Sequence, residues 1–222
     1  MLLGARQFFE RRGSPTPPLP YDAEVEYLES TGTQYIDTGV IIDDDRYLID
    51  CEFAATVRNQ SAWARFFGSY VSEAARSTRL INYDATDWRV YAGFRRASSA
   101  QSPVGIGYPQ LQSRLRYAMS AGRLLVTQNG DLLVEAVLQS PSGYPEDTST
   151  IKIFGAKMRL WRFNILLDST EVRDFIPVRV GSGSSAVGYL YDRANPTGGP
   201  LGNGLYGNAA GTDDFVIGPD KS

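Results

Sequence analysis

The sequence predicts an all-β protein: a β-sandwich of two antiparallel sheets with an N-terminal extended, partly helical arm. Three observations carry the prediction. Residues 151–180 alternate apolar and polar side chains over strand-length runs, as a sheet with one wet face requires. Asn129-Gly130 sits between two apolar runs, and both residues of that pair tolerate the positive φ of a tight hairpin. A chain of 222 residues with 42% hydrophobic content can fill the core of one all-β domain, whereas two full domains would each be small. The expected division is an anchoring arm and Pro-rich linker over residues 1–20, then one domain over residues 21–222.

In the arm, Leu2, Leu3, Phe8 and Phe9 alternate with Arg6, Glu10, Arg11 and Arg12. They make a short amphipathic helix that needs a surface to dock on, because so short a helix does not hold alone in water. SPTPPLP, residues 14–20, is a stiff polyproline-like spacer. A disordered terminus and an anchor into a larger assembly are the two readings, and anchoring is the one adopted. In the domain, residues 24–29 and 34–38 are the first two strands, and Gly39 lets the chain turn. Residues 47–56 and 62–70 follow as strands, with Gly68 at a bulge or a close approach. Residues 80–83 and 88–94 form a hairpin across Asp84-Ala85-Thr86-Asp87. Residues 95–109, rich in Ser, Gly and Ala, make a long surface loop or a weakly paired edge. Residues 114–119, 122–127 and 131–137 are successive strands.

The run from Ile151 to Arg193 packs the densest strand signal. Met158, Leu160 and residues 161–166 continue the strand opened by Ile151, Ile153 and Phe154, and Asp168-Ser169-Thr170 marks a turn into a strand over 172–180. Pro177 lacks a ladder donor, so it belongs at an edge or a bulge. Gly181–Ser185 and residues 194–204, ANPTGGPLGNG, are expanded loops, and residues 215–217 close the chain as a strand beside the first ones.

The phrases FGAKMRLWRF, VRDFIPVRVG, VGYLYDR and GNAAGTDDFVIGP, with EVEYLESTGTQYIDTGV near the start, resemble the laminin-G-like, concanavalin-A-like jelly-roll domains of gut bacteria and their phages. The resemblance covers most of residues 21–219 and implies a jelly roll, with a binding role in many relatives. Against the relatives' shorter turn, residues 194–204 are long, which leaves the fold expectation intact and puts any ligand site built from loops in question.

Composition excludes several function classes. A net charge of −3 argues against a nucleic-acid surface, and no apolar run reaches the length of a membrane span. Charged residues interrupt residues 1–20, so no secretory signal is expected there. Histidine is absent, which removes Ser-His-Asp triads and most zinc sites. The single cysteine, Cys51, lies in a strand pattern as a small buried hydrophobe. The basic residues are nearly all arginine, a bias that codon usage explains and that interfaces also favour. Glu24, Glu26 and Glu29 are the nearest approach to the paired carboxylates of jelly-roll glycoside hydrolases, but Glu29 has the wrong strand parity, and no catalysis is expected. Asp43, Asp44 and Asp45 are candidate calcium ligands, calcium being bound by some members of the wider superfamily; a solvated loop is the simpler reading.

Recognition of carbohydrate is the expected role. Sugar sites present aromatic faces with Asn, Asp and Arg to bond the hydroxyls. Tyr83, Trp88 and Tyr91 cluster around the predicted hairpin beside Asp84, Asp87 and Arg89, and Tyr108 and Tyr144 lie in loops, while Trp63 and Trp161 are assigned to the core. The resulting expectation is a non-catalytic accessory protein of a phage particle, a capsid decoration, head fibre or tail component that docks on other virion proteins through its arm and binds host or mucosal glycans. The alternatives are a purely architectural virion protein and a bacterial surface carbohydrate-binding protein. Self-association is left open.

Overall fold

The computed structural model describes residues 18–57, 64–69, 77–82, 89–96, 104–107, 112–138, 147–211 and 214–222. Two antiparallel sheets pack face to face, as in a jelly-roll sandwich. The larger sheet runs β11 (Asp131–Val137), β10 (Arg123–Gln128), β9 (Leu115–Ser120), β4 (Tyr47–Ala55), β13 (Lys157–Leu167), β14 (Thr170–Val180), β15 (Val187–Asp192) and β16 (Leu205–Tyr206). The smaller runs β3 (Ile36–Asp37), β12 (Lys152–Ile153), β5 (Arg65–Gly68), β6 (Ser77–Asn82), β7 (Arg89–Arg96) and β8 (Val104–Gly107). The predicted 95–109 segment thus includes an edge strand, β8, paired with β7.

Alternation fixes which face of each strand is buried. In β4, Ile49, Cys51 and Phe53 point into the core, while Asp50 and Glu52 face outward to Arg116 and Arg114. Phe53 stacks between Phe66 of the opposite sheet and Tyr117 of β9, with ring centroids 4.8 and 4.3 Å away. Phe67 meets Phe163 edge-on at 5.4 Å, so the two sheets are joined by aromatic contacts across the interior.

Strand β13 changes parity part-way. Met158 and Leu160 are buried, then Phe163 and Ile165, and the register against β4 slips between Leu160 and Arg162. Trp161 is the extra residue of that bulge. It is therefore half-buried on the outer face, 5.6 Å from Tyr27 and with the Arg114 guanidinium 5.5 Å over its ring, rather than in the core as its apolar character predicts.

Beyond the bulge the hairpin of β13 and β14 splays. The N-terminal strands β1 (Ala23–Glu24) and β2 (Leu28–Thr31) fill the opening, β1 on β14 and β2 on β13. Pro177 lies where β14 leaves β13 and meets β1. Its carbonyl accepts the Val25 amide (3.0 Å). A break inside the sheet, and not an outer edge, accommodates its missing donor. The last strand, β17 (Val216–Ile217), pairs with β2, and Phe215 packs on Phe154 at 4.6 Å, so both ends of the domain close the same corner. Tyr21, just before β1, rests on Tyr191 at 5.0 Å within a small outer-face cluster that includes Ile176 and Val178.

Gly68 behaves as its place in the sequence predicts. Its φ is +148°, and a Cβ there would lie 2.5 Å from the Arg79 Cβ and 2.7 Å from the Thr78 carbonyl oxygen. The Asn129 and Gly130 φ values of 50° and 92° are those of the predicted hairpin turn between β10 and β11.

Candidate functional site

Strand β14 sends one row of side chains inward, and at the end of the sandwich that row changes from Phe175 to Arg173. Phe175 is fully buried and Arg173 retains 17% exposure, so the guanidinium sits where the core gives way to solvent. Its Nε donates to the Thr38 carbonyl (3.0 Å) and its Nη1 to the Val172 carbonyl (2.8 Å), which holds the fork in place. Nη2 makes no hydrogen bond among the described residues and points past Gly39.

Beneath Arg173 lies Asp192, with no exposed surface. One carboxylate oxygen accepts the Asp174 amide (3.0 Å) and the Ala194 amide (3.1 Å); the other, without a hydrogen-bond partner, is 3.5 Å from Arg173 Nε. Two backbone donors and the nearby guanidinium together offset the cost of burying the charge. Tyr206 of β16 packs edge-on against Phe175 (4.8 Å) with its ring 6.0 Å from the Arg173 guanidinium. Burial pushes its phenol above the ordinary value; Arg173 opposes the shift and Asp192 adds to it. The phenol is therefore neutral near pH 7.

Arg173 and Tyr206 form the floor of a cavity of about 450 Å³, within the size range of small-molecule sites, and Asp192 lies outside its lining. Its walls are the end of β3 at Asp37 and Thr38, Thr150, and the glycine-rich segment from Asn195 to Ala209. That segment is tied down: the Asp192 amide donates to Gly204 O (2.9 Å), the Gly204 amide to Gly198 O (2.7 Å), and the Ala209 amide to Tyr35 O (2.8 Å). At Gly199, φ is +84° and a Cβ would lie 2.8 Å from the Leu205 carbonyl and 3.0 Å from the Tyr206 ring, so only glycine lets this wall approach the floor. Asp37 Oδ1 accepts the Gly39 amide (2.9 Å); its Oδ2 and the Asn195 side-chain amide have no hydrogen-bond partner among the described residues. The cavity thus offers donors and acceptors together.

Of the sequence-predicted recognition residues the structure describes Arg89 and Tyr91. Tyr83, Asp84, Asp87 and Trp88 lie outside the described residues, as do Tyr108, Tyr144 and Trp63. Arg89 and Tyr91 are in β7 on the predicted hairpin, where Tyr91 pairs with Ile81. Strands β12, β5 and β6 separate β7 from β3, so Tyr91 does not reach the cavity. Leu2, Leu3, Phe8 and Phe9 of the arm are also outside the described residues.

Asp43, Asp44 and Asp45 are not gathered around a common point. Asp44 is gripped by Arg46 through Nε (3.0 Å) and Nη2 (2.9 Å), which holds its carboxyl down to about 2, and Asp45 pairs with Arg95. Among the described residues no group of three His, Cys, Asp or Glu side chains could hold a metal ion. Two of the three consecutive carboxylates, Asp44 and Asp45, are taken singly by different arginines. Glu29 is likewise committed, to Arg159 (2.6 Å), and Glu24 lies 3.4 Å from both the Tyr21 hydroxyl and the Lys221 amine. Cys51 is 1% exposed, and burial pushes its thiol well above the ordinary value.

No family model matches the sequence, and no curated protein does. Among solved structures, a Bacteroides ovatus protein to which carbohydrate binding is ascribed aligns at a TM-score of 0.53 and 8% identity, over 90% of this chain and 61% of that one. The likeness is one of fold. This chain spans about three fifths of that protein's length. A heptameric pentraxin from Limulus polyphemus aligns at 0.35 and 12% identity, over 68% of this chain and 76% of that one.

Proposed function

We propose that this protein is a non-catalytic carbohydrate-binding protein whose ligand enters the cavity above Arg173. The observation that carries the reading is the unspent hydrogen-bonding capacity of that cavity: Arg173 Nη2, Asp37 Oδ2 and the Asn195 amide belong to residues that line one space, and none of the three has a hydrogen-bond partner among the described residues. A rigid cluster of mixed donors and acceptors suits a polyol, whose hydroxyls both give and accept hydrogen bonds. A jelly-roll fold shared with a protein described as carbohydrate-binding adds weight by analogy.

The decisive experiment is a glycan-array screen of the full chain, with and without calcium, repeated with Arg173→Gln. Binding lost in the variant supports the site; a folded protein silent across a broad array rejects the reading. The setting we propose is an accessory role in a phage particle with the arm as its dock, which rests on the sequence resemblance. A bacterial cell-surface role has equal support. Antibody labelling of sedimented phage particles against labelling of intact cells separates the two.

A further inference from the structure

We infer that the cavity above Arg173 selects an uncharged sugar and rejects acidic ones; this rests on the carbohydrate-binding reading above. An arginine in a pocket points at first to a carboxylate or sulfate ligand. The surrounding charges reverse that expectation. Arg173 already has a buried counter-charge in Asp192, 3.5 Å from Nε. Asp37 is the carboxylate of the described lining itself, and it makes no ion pair among the described residues. Lys152 is directly opposite Asp37 in the ladder between β3 and β12, but its ammonium lies over the Tyr35 ring, 4.7 Å from the centroid. With Arg173 matched by Asp192 from outside the lining, Asp37 leaves the described lining one negative charge in excess, and an anionic sugar would meet that carboxylate as well as Arg173. Like charges brought together in this way suppress the wrong ligand more than they weaken the right one.

What remains is suited to neutral hydroxyls. Asp37 Oδ2 accepts from a hydroxyl as a charge-assisted bond, Arg173 Nη2 donates, and the Asn195 amide does either. A ligand lacking a hydroxyl at the Asp37 position leaves that carboxylate unpaired, which makes the discrimination steep. Among the described lining residues the one aromatic side chain, Tyr206, is 4% exposed and offers little face for stacking, so hydrogen bonds carry the recognition.

The test uses the full chain and matched methyl glycosides that differ only in whether C6 is a hydroxymethyl or a carboxylate: glucose against glucuronic acid, galactose against galacturonic acid, mannose against mannuronic acid. Binding is measured by calorimetry and by saturation-transfer NMR, for the native protein and for Asp37→Asn and Asn195→Ala. Asp37→Asn keeps the oxygen that caps the Gly39 amide, and urea unfolding verifies that each variant is folded. The expected result is that at least one neutral glycoside binds, its acid partner binds at least tenfold more weakly, each variant loses tenfold or more for the neutral one, and Asp37→Asn narrows the gap between them. Equal or tighter binding of the acid overturns the inference and leaves carbohydrate binding standing. Neutral binding unaffected by either variant overturns this site. No binding by any glycoside, with the array also silent, overturns both.

Discussion

Replacing Asp192 with alanine tests whether the floor of the cavity is organised by one buried carboxylate. The substitution removes the acceptor for the Asp174 and Ala194 amides, 3.0 and 3.1 Å away, and the counter-charge 3.5 Å from Arg173. A hydrogen bond to a charged group is worth about 1.5–3 kcal/mol, and breaking a buried ion pair by removing one partner costs about 3–5 kcal/mol. The two figures describe the same carboxylate and do not add. Arg173 is 17% exposed and keeps two backbone acceptors, so the stranded cation is partly relieved by water. The expected loss is about 3–4 kcal/mol. For a chain of this size a urea slope near the upper end of the usual range, about 3 kcal/mol/M, converts that loss into a midpoint lowered by roughly 1–1.3 M. Asp192→Asn retains one acceptor oxygen but turns an amide towards the guanidinium, and lies between alanine and the native protein. A loss below about 1 kcal/mol for Asp192→Ala would refute the reasoning, because it would mean that the Asp174 amide and Arg173 find other partners at no cost.

Other predictions follow from particular contacts. Gly68→Ala sets a methyl against Arg79 in a backbone conformation that L-residues avoid; strain and overpacking together cost roughly 2–5 kcal/mol, and an unchanged thermal midpoint would refute the close approach. Phe215→Ala removes the ring that covers Phe154 and should cost about 3–5 kcal/mol in urea unfolding; a loss under about 1 kcal/mol would mean that the last strand does not close the core. The Asp44 carboxyl should titrate near 2 by carbon-detected NMR and return towards 3.8 in Arg46→Ala. Because its pairing lowers the folded value, any contribution to stability is complete above the ordinary carboxylate value and is lost as pH falls through about 2; a native midpoint at 3.8 would refute the pairing. Cys51 should resist a disulfide reagent at pH 8 in the folded protein and react fully once unfolded in urea; rapid native reaction would contradict its burial.

The strands were legible because their signals are local. Alternation located β14 and the end of β13 within a residue or two, but the strand expected to run on from Ile151 is two: Lys152–Ile153 is β12 of the smaller sheet, and β13 starts only at Lys157. The Asn-Gly pair located the turn of β10 and β11, and the last strand was expected beside the first ones, where β17 pairs with β2. Trp161 shows where locality ends. The parity break between Leu160 and Phe163 is visible in the sequence, but a tryptophan next to it reads as core until the register with β4 is known. Pro177 was expected at an edge or a bulge, and the break it occupies exists only because two N-terminal strands wedge between β13 and β14. The cavity was not legible at all. Asp37, Arg173, Asn195 and Tyr206 are scattered over 170 residues, and neither spacing nor composition links them. Arg173 sits in VRDFIPVRVG as one more wet-face residue; what distinguishes it is that its row points inward, which only the pairing Phe163 with Phe175 reveals.

The two glycine-rich expansions show why loop length alone does not make a site. Both are thermodynamically inexpensive. Residues 181–185 follow the far end of β14, eight residues beyond Arg173, or roughly 26 Å along an extended strand. There the Gly181 amide is bonded to Asp22 (2.7 Å), and the loop does no more than cap the joint between β14 and β15. Residues 194–204 leave β15 at the opposite end, immediately after Asp192, and fold back over Arg173 and Tyr206. The first loop ends on a backbone junction, while the second ends above a charged pair that the core cannot fully bury. If that pair is what gives the longer loop a use, shortening residues 194–204 should abolish sugar binding with the sandwich still folded, and shortening 181–185 should leave binding unchanged. Loss of binding from the second deletion, in a protein whose unfolding midpoint is unaltered, would place the site at the wrong end of β14.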